Sequence, residues 1–210
     1  MDFYFGKNSG NSARAAFALY EAGAAFTPHA LNLPGGDGAA PGYRALNPLG
    51  KVPALVDGEV ALWESNAINW YVAEKHPEAE LLRPTAGGRA SLQRWLFFQA
   101  AHVTPAAMAV NRELNARHRA FWRLEPDPAA AEAGRRELAR YLPVLEQALT
   151  DGEWLEERFS LADIAYAPHL AFLVESGFDF GSTPRVGAWL HRLLSRPAWQ
   201  RARGLVFDYY

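Results

Sequence analysis

The chain has 210 residues, room for one large domain or two small ones and for a sizeable core. Half of them are hydrophobic and the formal net charge is −2, which argues against disorder and against a surface built to grip nucleic acid or anionic lipid. There is no cysteine, so disulfides, thiolate metal sites and catalysis by a protein thiol are excluded.

The start, Met1-Asp2-Phe3-Tyr4-Phe5, has no basic region followed by an apolar core and does not read as a signal peptide. No run approaches the ~18 apolar residues of a membrane span. A cytoplasmic protein without a membrane segment is expected.

Phe3-Tyr4-Phe5, bounded by Gly6, Lys7, Asn8, Ser9 and Gly10, reads as a short strand. Ala15, Ala16, Leu19 and Ala22 recur at helical spacing over Ser12 to Gly23. Phe26 to Leu33 is a second strand, ended by a glycine-rich stretch, Pro34-Gly35-Gly36-Asp37-Gly38, read as a flexible loop. Val52 to Val56 and Val60 to Leu62 flank Asp57-Gly58 as a hairpin. Glu64-Ser65 then opens a helix carrying Ile68, Tyr71 and Val72. This order makes residues 1–75 a small α/β domain with a mixed sheet.

Residues 76–87, with His76-Pro77 and Arg83-Pro84-Thr85-Ala86-Gly87, read as a linker. Residues 88–210 read as an all-α domain. One long helix runs from Leu92 through Trp95, Leu96, Val103 and Val110 to Leu114, and a second carries Leu138, Leu142 and Leu145 with Pro143 inside it. A third carries Leu161, Ile164 and Ala165, a fourth Val186, Leu190 and Leu193, and a short fifth begins at Pro197.

Four local patterns carry chemistry. The loop Asn8-Ser9-Gly10-Asn11-Ser12 sits between strand and helix, where amides and hydroxyls face an anion. In Asn47-Pro48-Leu49-Gly50-Lys51-Val52-Pro53, a cis proline at the strand start would leave the Val52 backbone free to pair with an extended peptide. Glu64-Ser65 matches an amino-acid terminus, the carboxylate for an ammonium and the helix-opening serine for a carboxylate. Ser160-Leu161-Ala162-Asp163 is a capping box with Phe159 as staple, and reads as structural. His102, His118 and His169 lack ligand spacing, so no metal is expected. Arg112, Arg117, Arg119 and Arg123 read as a solvated helix face.

Asn47 to Pro53, Leu62-Trp63-Glu64-Ser65-Asn66-Ala67-Ile68 and Phe159 to Asp163 together resemble a soluble glutathione S-transferase. The resemblance spans residue 1 to about 200. It implies a thioredoxin-like N-terminal domain, an all-α C-terminal domain, a homodimer, and glutathione as co-substrate. It also implies detoxifying conjugation of the glutathione thiolate to small hydrophobic electrophiles. Val52 and Pro53 match the position that pairs with the cysteinyl unit, and Glu64 and Ser65 match the γ-glutamyl pair. Lys51 lies where some classes contact the glycine carboxylate.

Ser9 and Asn11 resemble the thiol-activating loop of the bacterial nu-like class, with Ser12 in reserve. Tyr4 suits core packing better, and Arg14 follows Ser9 by five rather than in the commoner Ser-x-x-x-Arg pattern. The family's electrophile site lies between its domains. His102, Ala106, Met108 and Phe172 are candidates there, with Phe207 and Tyr210 in the tail. The alternatives are a glutathione-dependent disulfide or peroxide reductase on the same scaffold, and a non-catalytic binding protein.

Overall fold

A computed structural model describes residues 1–207. Its first strand, β1 (Asp2–Gly6), buries Phe3 and Phe5. Tyr4, between them, packs against His29 and Tyr43, as a two-residue period dictates. Helix α1 (Gly10–Glu21) is buried from Ser12 to Leu19. Its alanines allow close packing against both α3 (Ser65–Lys75) and α10 (Pro197–Val206).

Strand β2 (Thr27–Leu31) runs parallel to β1, β3 (Ala54–Asp57) runs antiparallel to it, and β4 (Val60–Trp63) pairs back on β3. The sheet order is β2-β1-β3-β4. The glycine-rich stretch expected to be flexible is a hydrogen-bonded turn. Asn32 N–H donates to Asp37 Oδ2 (2.7 Å), and Gly35 N–H donates to Asn32 Oδ1 (3.0 Å). Helix α2 (Pro41–Leu46) was not anticipated, because six residues are too few to show a helical period.

Two units emerge: Met1–Leu81 joined by the chain from Pro197 onward, and Leu82–Arg196. The sequence places the last helix in the helical domain. Instead it packs on α1, with Trp199 edge-on to Phe17 at 5.6 Å.

In the second unit the predicted long helix is two segments, α4 (Ala86–Phe98) and α5 (Thr104–Leu114), joined by a π-helical turn at Gln99–Val103. Pro105 explains it. Proline has no N–H for the carbonyl four residues back, and its ring crowds that carbonyl, so the ladder widens. Helices α6 (Ala116–Trp122), α7 (Pro128–Ala148), α8 (Leu161–Glu175) and α9 (Pro184–Leu194) complete the unit, and α7 continues through Pro143.

Helix α8 is buried from Leu161 to Leu173, and the capping box at its start is formed. Asp163 Oδ1 accepts from Leu155 N–H and Trp189 Nε1–H, each at 3.0 Å, and Oδ2 accepts from Ser160 N–H at 3.0 Å. Complete burial pushes this carboxyl up to about 6, against the downward pull of those donors. Among the described residues no helix is long and apolar enough to cross a membrane.

Candidate functional site

Three segments of the first unit meet beside the end of β1. The first is the loop into α1. Ser9 is the N-cap, its Oγ accepting from Ser12 N–H at 3.3 Å. A hydroxyl that accepts at the cap still has its own proton to donate. Asn11 is exposed, and its Oδ1 accepts from Arg14 Nη1 at 2.8 Å. That bond commits the oxygen to Arg14 and leaves the Nδ2 donors on the opposite branch of the amide. Ser12 is the reserve donor of the sequence reading. It is wholly buried, and its Oγ accepts from Gly6 N–H at 3.2 Å, so it braces the loop from within.

The second segment approaches through Val52. A Cβ on Gly6 would lie 2.9 Å from Val52 Cγ2, so the loop and this edge are in contact. The Val52–Pro53 bond is cis. The ladder register begins at Ala54, so the Val52 backbone lies outside it. Beneath it, the Tyr43 hydroxyl and Asn47 Nδ2 both donate to Lys51 O. Burial pushes the Tyr43 phenol up to about 12, so it remains a donor at physiological pH. The Lys51 side chain is exposed.

Gly50, at φ +64°, meets Gly38 backbone to backbone. A Cβ on Gly38 would fall 2.3 Å from Gly50 O. Gly38→Ala is therefore expected to displace the Lys51–Val52 edge and weaken ligand binding several-fold with α1 intact. Calorimetric titration of the variant checks this.

The third segment is the head of α3. Glu64, exposed, holds φ +71° and ψ 114° and makes no side-chain cap bond. This backbone is sparsely populated for a non-glycine residue, a condition common at ligand-binding positions. Glu64 supplies no side-chain cap to the first-turn amides of α3, groups that a helix start leaves without intrahelical partners. Ser65 is buried, and its Oγ accepts from Arg14 Nη1 at 2.9 Å. One buried guanidinium thus ties Asn11 to Ser65. Together the segments offer a peptide edge at Val52, a paired carboxylate and hydroxyl at Glu64 and Ser65, and anion donors at Ser9 and Asn11.

The glutathione S-transferase N-terminal domain family matches residues 2–74, and its C-terminal domain family matches residues 99–197. A curated glutathione S-transferase from Silene vulgaris is 32% identical over 200 residues, 91% of each chain. The chain belongs to the glutathione S-transferase family. Solved structures agree. Glutathione transferase F2 from Populus trichocarpa superimposes with TM-score 0.89 at 25% identity, covering 97% of each chain. A glutathione S-transferase I bound with lactoylglutathione gives TM-score 0.88 at 28% identity, covering 97% of this chain and 98% of that one.

Within this transferase fold the electrophile-site candidates divide. His102 and Met108 are exposed. Ala106 and Phe172 are buried in the helical unit, Phe172 with its ring against His118 and His169. Helical periodicity marks a buried stripe and a ligand-facing stripe alike. Phe207 is buried, and Tyr210 lies outside the described residues. Among the described residues no group of three or more histidines and carboxylates could hold a metal. Sequence reasoning passed over Arg14 as a site residue. Its signal was a lone arginine inside the apolar run from Ala13 to Leu19, a place where an unpaired charge would be costly.

Proposed function

We propose that this transferase binds glutathione at the three segments described and adds its thiolate to small hydrophobic electrophiles. The observation that carries the reading is the Arg14 bridge, which unites the thiol loop and the γ-glutamyl pair in one hydrogen-bonded frame. Glutathione supplies the nucleophilic sulfur. Val52 pairs with its cysteinyl backbone, Glu64 accepts from its ammonium, and Ser65 with the α3 amides donates to its α-carboxylate. Lys51 meets the glycine carboxylate. Ser9 and Asn11 donate to the sulfur and favour its anion, so no general base or metal is needed. His102 and Met108 stand as candidates for contact with the electrophile.

Purified protein should bind glutathione and conjugate members of an electrophile panel. Failure at both would defeat the reading, and turnover of a glutathione-linked disulfide far above conjugation would replace it with the reductase. Glu64→Ala should weaken glutathione binding about 10–100-fold, the worth of a charge-assisted hydrogen bond at ~1.5–3 kcal/mol. Its melting temperature should change little, because Glu64 makes no cap bond. Unchanged affinity would remove Glu64 from the site.

The protein is proposed to act as a cytoplasmic homodimer. Leu49 and Trp63 in the first unit and Phe97 in the second are large exposed apolar side chains, of the kind an interface between copies would cover. Light scattering on the eluting protein gives the mass.

A further inference from the structure

The turn that presents Ser9 is held from outside the loop. Asn8, directly before it, is buried and sits at φ +58°. Asparagine visits this left-handed conformation more readily than most residues, and contacts around the turn fix it here. Two of those contacts come from the C-terminal end of α10. The last carbonyls of a helix have no donor within it. Here Lys7 Nζ donates to Leu205 O at 3.1 Å, and Asn8 N–H donates to Val206 O at 2.9 Å. Two consecutive residues of the loop thus clamp two consecutive carbonyls of the helix. The Lys7 ammonium also faces the negative end of the α10 dipole.

Helix α10 is itself anchored on α1. Trp199 packs edge-on to Phe17, and the Arg201 guanidinium lies 4.2 Å over the Tyr20 ring. The frame closes on itself: α1 carries α10, and the end of α10 holds the loop that starts α1.

We infer that Lys7 is a positioning residue for thiol activation, holding the Asn8–Ser9 turn against the C-terminal end of α10 and so making that helix part of the glutathione site. The inference rests on the reading of Ser9 and Asn11 as donors to the sulfur. Lys7 touches no reacting atom in this scheme. It acts through the backbone of Asn8, where a small rotation carries Ser9 with it.

The test uses the full chain with Lys7→Met, which keeps the stem and removes the charge, and Lys7→Arg, which keeps the charge. Two quantities are read: the pH at which bound glutathione ionises, from thiolate absorbance, and the affinity for S-methylglutathione, which has no thiol. In Lys7→Met the ionisation should move up by about 0.5–1 pH unit, a loss of ~1.5–3-fold in thiolate at pH 7 from a bound pKa near ~6.5. Affinity for S-methylglutathione should stay within about twofold by the same scale, and Lys7→Arg should restore the wild-type ionisation. If Lys7→Met does not fold, Lys7→Gln replaces it.

An unchanged ionisation in a variant that still binds S-methylglutathione would reduce Lys7 to a plain helix cap and overturn the inference. A parallel fall in S-methylglutathione affinity would overturn it too, since Lys7 would then shape the pocket as a whole. Wild-type protein that binds neither ligand would overturn the functional reading beneath it, an outcome distinct from both.

Discussion

Ser9→Ala is expected to slow conjugation about 3–25-fold at neutral pH, with the rate recovering as the pH rises. A free thiol with a pKa near ~8.5 is only a few per cent thiolate at pH 7. Lowering it by about two units requires ~2.7 kcal/mol in favour of the anion. One hydrogen bond to a charged acceptor supplies ~1.5–3 kcal/mol, and a helix N-terminus adds up to ~2. In the proposed site Ser9 supplies the hydroxyl, Asn11 the amide and α1 the dipole. Removing Ser9 returns the sulfur by about one to two units toward its free value.

The acid limb of the pH–rate profile should move up accordingly, while glutathione affinity changes less than the rate. Asn11→Ala should act in the same direction and more weakly, because an exposed amide competes with water. Ser12→Ala serves as the control. It removes the acceptor of Gly6 N–H, so it should cost about 1–3 kcal/mol of stability and leave the profile in place. A Ser9→Ala enzyme with the wild-type profile would falsify the assignment.

Asp163→Ala should destabilise the folded chain by about 4 kcal/mol or more, given ~1–3 kcal/mol for each buried donor left without an acceptor. Leu155 N–H, Ser160 N–H and Trp189 Nε1–H all lose their acceptor at once. Against a typical total of ~5–15 kcal/mol this is a large share, and low soluble yield at growth temperature should follow. Urea titration of variant and wild type measures the difference. A loss under about 1 kcal/mol would mean that water or a shifted side chain replaces the carboxylate.

The same residue has a pH signature. Its carboxyl is raised from 3.8 to about 6 in the folded chain, so between those values the folded state holds a proton that the unfolded state has released. Stability therefore falls as pH rises through that window, by about 3 kcal/mol in total at ~1.36 kcal/mol per unit. This contribution should vanish from the pH dependence in Asp163→Asn. Identical slopes for the two proteins between pH 4 and 6 would contradict it.

Elements with a strong local signature were legible in the sequence. The four strands lie where alternation and breakers place them, and the capping box at Ser160 and Asp163 is formed as its spacing implies. The three segments of the proposed site were legible as motifs, because each depends on residues adjacent in the chain. What each serine does was not. Ser9 and Ser12 both read as hydroxyls near a helix start. Only the packing makes one a partly exposed cap and the other a buried brace for Gly6. The π-helical turn before Pro105 was equally hidden, since apolar spacing alone does not register one extra residue in a turn.

By itself the sequence excluded every chemistry that needs a protein thiol. It also determined the order of elements, an α/β unit followed by helices, and the motifs that mark the family. Tertiary structure decided the long-range bonds. Arg14 meets Ser65 across 51 positions, and Lys7 meets Leu205 across 198. It also decided that the last helix packs on α1 and that Ala106 and Phe172 are buried. The physical reason is one of range. Hydrophobic period, caps and turn residues act over a few neighbours and are written locally. A buried guanidinium or a helix-end carbonyl takes whichever partner the folded chain brings to it.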